Sequence, residues 1–213
     1  MSRSGGGAMD AEFWNQRYAA DGFVYGAEPN DFVAAVAPRL PPGPVLCLGE
    51  GEGRNAVHLA SLGHPVTAVD QSEVALAKAR KFAAARRVPL ETVVADLAAY
   101  RIQPGAWSAV VSSWVHLPPA LRRSVHAQVV RGLRPGGAFV LEAYTPAQLA
   151  HDTGGPRDPA LLMTAALLRD ELAGLEFEIL RELEREIREG SAHTGLAAVV
   201  QVLAWRGAAG GRE

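Results

Sequence analysis

The stretch Val45-Leu46-Cys47-Leu48-Gly49-Glu50-Gly51-Glu52-Gly53-Arg54-Asn55 decides the fold. Four apolar residues bounded by Pro44 and Gly49 read as a buried parallel strand. Three alternate glycines follow, and the amphipathic run from Asn55 to Leu62 then reads as a helix. Glycines suit a sharp strand-to-helix turn because the backbone must turn tightly and let a ligand approach without side-chain clash. Val66 to Asp70 forms a second strand-like run, so Asp70 stands at its end, 21 residues after Gly49. A carboxylate there is placed to accept hydrogen bonds from two ribose hydroxyls. Strand, glycine turn, helix, strand and acid in that order point to a nucleoside-containing cofactor at the carboxyl edge of a parallel sheet. A structural turn with a helix-capping Asp is the plainer alternative.

Working outward, Ser72 is an N-cap for a helix running to about Arg87. Glu91–Ala95, Ser108–Ser112 and Ala138–Ala143 read as further strands. Pro119 opens a helix whose Leu121, Val125, Val129 and Leu133 form one stripe, and Pro135-Gly136-Gly137 stops it. Residues 158–172 suggest one more helix. Phe177–Glu189 fits a helix or a strand; a hairpin with the strand Leu196–Trp205, turning at Gly190–Gly195, is the better reading. Strand–helix alternation of this kind predicts an α/β fold, a mostly parallel sheet with helices on both faces.

Composition narrows the function. The chain has 213 residues, a formal net charge of −2, 48% apolar and 21% charged residues and one cysteine. That is the length of one domain of roughly 100–200 residues. A single cysteine excludes an internal disulfide and a Cys-rich zinc site, and fits a reducing, cytoplasmic setting. No apolar run exceeds six residues, against the ~20 of a spanning helix. Near-neutral charge argues against nucleic acid or an anionic lipid surface as partner. The five basic residues between Lys78 and Arg87 and the alternating charges of Glu182–Glu189 read as solvated faces. Residues 1–10 and 207–213 are expected to be tails flanking one domain, 11–206.

Two cofactors fit the turn. Gly51-x-Gly53-x-x-Ala56 formally matches a dinucleotide fingerprint, but it begins two residues late and leaves no second domain for a hydride-transfer substrate. The spacing Gly49-x-Gly51-x-Gly53 suits S-adenosylmethionine (SAM) better. Here the chain resembles the class I SAM-dependent methyltransferases, and within them a bacterial tellurite-resistance-like or thiopurine-methyltransferase-like branch. The resembling residues are Phe13-Trp14-x-x-Arg17-Tyr18, Tyr25-Gly26-x-Glu28-Pro29-Asn30, Gly49–Asn55, Val69-Asp70-Gln71-Ser72, Ala95-Asp96-Leu97 and Leu133–Gly137. The resemblance implies a seven-stranded Rossmann-like sheet of order 3-2-1-4-5-7-6 with strand 7 antiparallel, and makes Phe177–Glu189 its penultimate strand.

It also implies roles. Gly49, Gly51 and Gly53, with Asn55, would line the methionine part of SAM. Asp70 and Gln71 would hold the ribose, Asp96 the adenine amino group, and Leu97 the ring, with Ser112 nearby at the end of the fourth strand. Trp14, Arg17, Tyr18 and Tyr25 would belong to an N-terminal flap, unless they only pack an amphipathic helix into the core. Where the family carries an acid two residues before the first glycine, this chain has Cys47, and Glu50 is the candidate to bind the amino group of SAM instead.

Substrate residues should come from the segments after strands 4, 5 and 6. These hold His116, Tyr144, the lid-like His151–Arg157 and His193; His58, His64 and His126 read as structural. Methyl transfer needs alignment, exclusion of water and at most one base. His116 is the expected base and Tyr144 its orienting or aromatic-wall partner, with no metal. The expected reaction yields S-adenosylhomocysteine and methylates a small molecule, a thiol or tellurite-like soft nucleophile. An O- or N-nucleophile of a metabolite, or SAM binding without turnover, are the alternatives. Monomer and dimer stay open.

Overall fold

The computed structural model describes residues 10–190 and 193–207. The expected tails at 1–9 and 208–213, and Ser191-Ala192 at the hairpin tip, lie outside the described residues. The order is α1 (Ala11–Tyr18), α2 (Asp31–Val36), β1 (Val45–Leu48), α3 (Arg54–Ser61), β2 (Val66–Asp70), α4 (Glu73–Arg86) and β3 (Glu91–Val94). Then follow β4 (Trp107–Ser113), α5 (Pro119–Gly132), β5 (Leu133–Tyr144), α6 (Ala165–Glu171), β6 (Leu175–Glu189) and β7 (His193–Arg206). The seven strands form one sheet of order β3-β2-β1-β4-β5-β7-β6. β7 runs antiparallel to both neighbours, and the pairs among β1 to β5 are parallel. This is the Rossmann-like class I methyltransferase arrangement.

Strand alternation divides the core. Val45 and Cys47 point to the face covered by α2, α3 and α4, beside Val33, Ala56, Leu59 and Leu76. Leu46 and Leu48 point to the other face, against Val125, Val129 and Leu168 of α5 and α6. Burial on both faces explains why β1 and β2 read as continuous apolar runs. Ser72 caps α4 by accepting from the Ala75 N–H at 3.1 Å. Asp10, assigned to a tail by sequence, caps α1 by accepting from the Phe13 N–H.

Two expectations are corrected. Residues 158–172 are not one helix. A short 3-10 turn, Pro159–Leu161, is followed by extended Leu162 and then by α6, capped by Thr164. The Met163 N–H donates to the carbonyl of Tyr144 at 3.0 Å, and this bond holds the backbone out of helical geometry. The charges of Glu182–Glu189 are not all solvated. Period-2 alternation turns Leu183, Arg185, Ile187 and Glu189 inward, and Glu189 is only 5% exposed.

Candidate active site

The parallel register aligns Leu48 with Val69 and Ser112, and Asp70 with Val94. Gly49, Asp70, Ser112 and Tyr144 therefore stand along one carboxyl edge, which β6 and β7 continue by pairing Glu189 with His193. The turn after β1 has Gly49 at φ +56 and Gly51 at φ +62, a region that favours glycine. Asp70 ties it down: its carboxylate accepts from the Gly51 N–H and the Ser72 N–H, both at 2.8 Å. Burial raises the Asp70 pKa, and these amide bonds oppose the rise.

The two glutamates of the turn face opposite ways. Glu50 points inward and accepts from the Ala56 N–H at 2.7 Å, because free N–H groups at a helix start attract a carboxylate. Burial raises its pKa to about 7, against the pull of that N–H and of Arg54. The Cys47 thiol lies within its reach, and burial holds that thiol well above its usual range. Glu50 thus holds α3 rather than facing the ligand side, contrary to the expectation for it. Glu52 points outward and accepts from the Val24 N–H at 2.8 Å and from Lys78 at 2.9 Å. Lys78 also donates to the carbonyls of Ala20 and Gly22, both at 2.7 Å. Residues 19–25 are latched by these bonds over the turn.

The N-terminal segment is a roof. A Cβ added to Gly51 would meet the Tyr18 phenol oxygen at 2.7 Å, and one added to Gly49 would meet Val115 at 2.7 Å. Trp14 stacks on Tyr18, and Arg17 donates to the Tyr25 hydroxyl at 2.6 Å. Gly190 packs against the same roof, where a Cβ would fall 2.3 Å from the Val24 carbonyl oxygen.

Of the other expected residues, Gly53, Asn55 and Leu97 serve the scaffold. A Cβ on Gly53 would meet Ala79 of α4 at 2.7 Å, so this glycine allows two helices to approach. Asn55 is buried and accepts from the Asn30 N–H at 2.9 Å, a bond that fixes the start of α2. Asp96 is exposed and accepts from the Ala98 N–H at 2.8 Å; Leu97 leans on the core of the α5 side. Gln71 is half-buried beside Asp70.

His116 is not free to act as the expected base. Nε2 accepts from the Tyr144 N–H at 3.1 Å, and Nδ1 lies 3.1 Å from the Trp114 carbonyl, to which it donates. Burial lowers its pKa to about 4 although the Trp114 carbonyl opposes this. The ring is a neutral bridge between the segments after β4 and β5. Tyr144 is buried in an aromatic cluster, its ring 4.5 Å from Trp114, 5.6 Å from His116 and 5.6 Å from His193. Burial drives the Tyr144 phenol pKa up, so it acts as a neutral hydroxyl. His151 lies apart, bonded to Glu184 at 3.0 Å.

Sequence reasoning missed the polar network beneath this cluster. Glu189 accepts from Arg54 at 2.5 Å, Trp114 Nε1 at 2.6 Å and Asn30 at 2.8 Å. Burial alone would raise its pKa, yet the nearby His193 ring and the bonds from Arg54 and Trp114 bring it down to about 2. Arg185 donates to Glu142 at 2.6 Å, and Gln201 donates to the other Glu142 oxygen at 2.8 Å. The period-2 placement of Arg185 and Glu189 was the available signal. Among the described residues no cluster of three His, Cys, Asp or Glu side chains has the geometry to hold a metal ion, and no helix is long and apolar enough to cross a membrane. A groove of about 740 Å³ lined by Pro44, His64, Pro65, Glu91 and Trp107 opens at the opposite edge of the sheet; it touches none of this chemistry.

Residues 45–137 match the family described as a methyltransferase domain. The match runs from β1 to the start of β5 and contains the glycine turn, Asp70 and Asp96. The 2-heptyl-1-hydroxyquinolin-4(1H)-one methyltransferase of Mycobacteroides abscessus is 29% identical over 117 residues, 54% of this chain and 52% of that protein. The chain spans about half the length of the curated relatives it matches. A structure described as "Conversion of a Disulfide Bond into a Thioacetal Group during Echinomycin Biosynthesis" superposes with TM-score 0.76 at 22% identity, covering 94% of each chain. TehB from Haemophilus influenzae gives 0.69 at 21% identity, over 92% of this chain and 66% of that one. These likenesses establish the fold. Two further structures of this fold, at 20% and 18% identity, are themselves described as SAM-dependent methyltransferases.

The residues present fit that cofactor. Gly49 and Gly51 form a cradle in which an added Cβ would first meet the side chains of Val115 and Tyr18. Asp70 and Asp96 offer carboxylates to hydroxyl and amino groups, and the site needs no cation for a pyrophosphate that SAM lacks.

Proposed function

We propose that this chain is a SAM-dependent methyltransferase acting on a small organic molecule. The reading is carried by the strand-end constellation: a left-handed glycine turn locked by Asp70 and roofed by a segment latched through Glu52 and Lys78. Gly49 and Gly51 would admit the methionine part of SAM, Asp70 the ribose and Asp96 the adenine amino group. When bound, SAM supplies a methyl carbon already activated by its sulfonium. The chain contributes alignment, the roof of Tyr18 and Tyr25 that excludes water, and an aromatic wall for the acceptor.

Of the expected acceptors, the geometry favours an uncharged organic molecule over a tellurite-like oxyanion. Two guanidinium groups near the aromatic wall are already paired, the buried Arg54 with Glu189 and the half-buried Arg185 with Glu142 and Glu189. The Mycobacteroides abscessus relative is named for an N-hydroxylated quinolone, a compound of that kind. Calorimetry against SAM, S-adenosylhomocysteine and NAD tests the cofactor. SAM and S-adenosylhomocysteine should bind, NAD should not, and Asp70→Ala should lose at least tenfold in affinity. A chain that binds only NAD, or neither, refutes the reading.

A further inference from the structure

Five buried side-chain polar atoms lack a hydrogen-bond partner among the described residues, and three of them belong to one edge: Ser113 Oγ, Tyr144 Oη and His193 Nδ1. They lie at the end of β4, the end of β5 and the start of β7. Native proteins leave few such atoms without a partner, and each calls for an explanation. The rings that carry two of them touch. Tyr144 and His193 are 5.6 Å apart, with Trp114 5.2 Å and Tyr25 4.7 Å from His193.

We infer that His193, oriented by Glu189, is the general base of the methyl-transfer site, and that its acceptor is a planar ring bearing an acidic hydroxyl. The inference rests on the methyltransferase reading and names the acceptor class and base of that same site. Nδ1 of His193 stands 3.9 Å from Glu189 Oε2, so a small rotation of the ring makes the bond that fixes the proton on Nδ1 and leaves the Nε2 lone pair free. Glu189 stays anionic because Arg54 and Trp114 hold it, and an anion behind the ring stabilises the imidazolium formed on proton uptake. The groups facing His193 are Glu189 of β6, Arg54 of α3, Arg17 of α1, and the rings of Tyr25, Trp114 and Tyr144. Burial, first among these influences, keeps the free imidazole neutral near pH 7.

The acceptor class follows from the same atoms. Trp114, half-buried and backed by the ring of Tyr144, offers an aromatic face, which favours a flat partner. The hydroxyls of Tyr144 and Ser113 are buried without a partner among the described residues, and an oxygen or nitrogen on that acceptor would satisfy them. In the step itself, the acceptor's O–H proton passes to Nε2 of His193 while the oxygen lone pair forms the new O–CH3 bond. The C–S bond breaks with its electron pair left on sulfur, and the imidazolium afterwards returns its proton to solvent.

Catechol and 8-hydroxyquinoline are the hydroxylated probes, with thiophenol and tellurite as the competing chemistry. Methylation is followed with SAM, and probe binding by calorimetry on the protein loaded with S-adenosylhomocysteine. Wild type should methylate a hydroxylated probe. His193→Gln should lose ~10²–10⁴-fold in kcat at pH 7, and recover as the pH passes the probe's own ionisation. Its affinity for SAM and for the probe should stay within about threefold, since a base adds to the rate and not to ground-state binding. Tyr144→Phe, which keeps the ring, should instead weaken probe binding several-fold. An unchanged pH profile in His193→Gln overturns the inference. So does binding or methylation confined to thiophenol or tellurite. Failure of SAM itself to bind would defeat the methyltransferase reading, a result visible before any acceptor is added.

Discussion

Replacing Glu189 by Gln tests whether the polar network beneath the aromatic wall holds the fold together as the distances indicate. Glu189 receives Arg54, Trp114 and Asn30 within 2.5–2.8 Å, and its pKa falls from 4.5 to about 2. A carboxyl depressed in the folded state contributes stability that is complete above the unfolded value and lost as pH falls through the folded one. At pH 7 the contribution is about 3 kcal/mol, at ~1.4 kcal/mol per tenfold. Breaking a buried ion pair from one side costs a similar ~3–5 kcal/mol. At pH 3.5 the same arithmetic leaves about 2 kcal/mol. Urea unfolding of wild type and Glu189→Gln should therefore differ by about 3 kcal/mol at pH 7, a Tm loss of ~6–12 °C for a chain of this size. The difference should shrink by roughly a third at pH 3.5. A difference below ~1 kcal/mol at pH 7, the ordinary worth of an exposed pair, refutes the reasoning. So does a difference that ignores pH.

Gly190→Ala places a Cβ 2.3 Å from the Val24 carbonyl oxygen at a residue with φ +65, so either the hairpin or the roof must move; a loss of ~1–3 kcal/mol is expected, read as a lower Tm. Lys78→Met removes three bonds that hold the roof; limited proteolysis should cut residues 19–28 faster, with SAM affinity reduced. His116→Ala strands the Tyr144 N–H and should cost ~1–3 kcal/mol, measured by urea unfolding, while any residual activity keeps the wild-type pH profile.

The parallel core was legible because β1 and β2 are short apolar runs closed by glycine or aspartate, and burial on both faces leaves no other reading of them. The glycine turn and Asp70 were legible for the same local reason. Side-chain partners across the chain were not. Arg185 and Glu142 stand 43 residues apart, and their mutual neutralisation is what allows charges to turn inward on β6. Local pattern placed His116, His151 and His193 alike on loops of this edge and made His116 the expected base. Only the fold shows that the His116 ring spends both nitrogens on backbone, while His193 Nδ1 has no hydrogen-bond partner among the described residues. The helix expected over 158–172 failed because its apolar spacing is real, but a single bond to Tyr144 competes with helical geometry.

The position where the resemblance calls for an acid, Cys47, is explained by its neighbour. Cys47 is wholly buried on the α3 face of β1, and Glu50 reaches back from the turn to the same place, contacting the thiol and the Ala56 N–H. One carboxyl already serves the start of α3, so a second one there would meet like charge in a buried site. Cys47→Asp alone should therefore cost several kcal/mol at pH 8, of the order of an unpaired buried charge. Glu50→Cys alone leaves the N–H groups of α3 short of a partner. Combining the two moves the acid from the turn to the strand and should recover much of the loss, with a coupling of ~1–3 kcal/mol in the cycle. The pH dependence should follow the acid. Glu50 has a folded pKa of about 7, above its ordinary 4.5. Its contribution is thus fully present below pH 4.5 and is lost as pH rises through 7, about 3 kcal/mol in all. Glu50→Gln should flatten that fall between pH 5 and 8. Strict additivity of the two substitutions would mean that positions 47 and 50 do not share one carboxyl site.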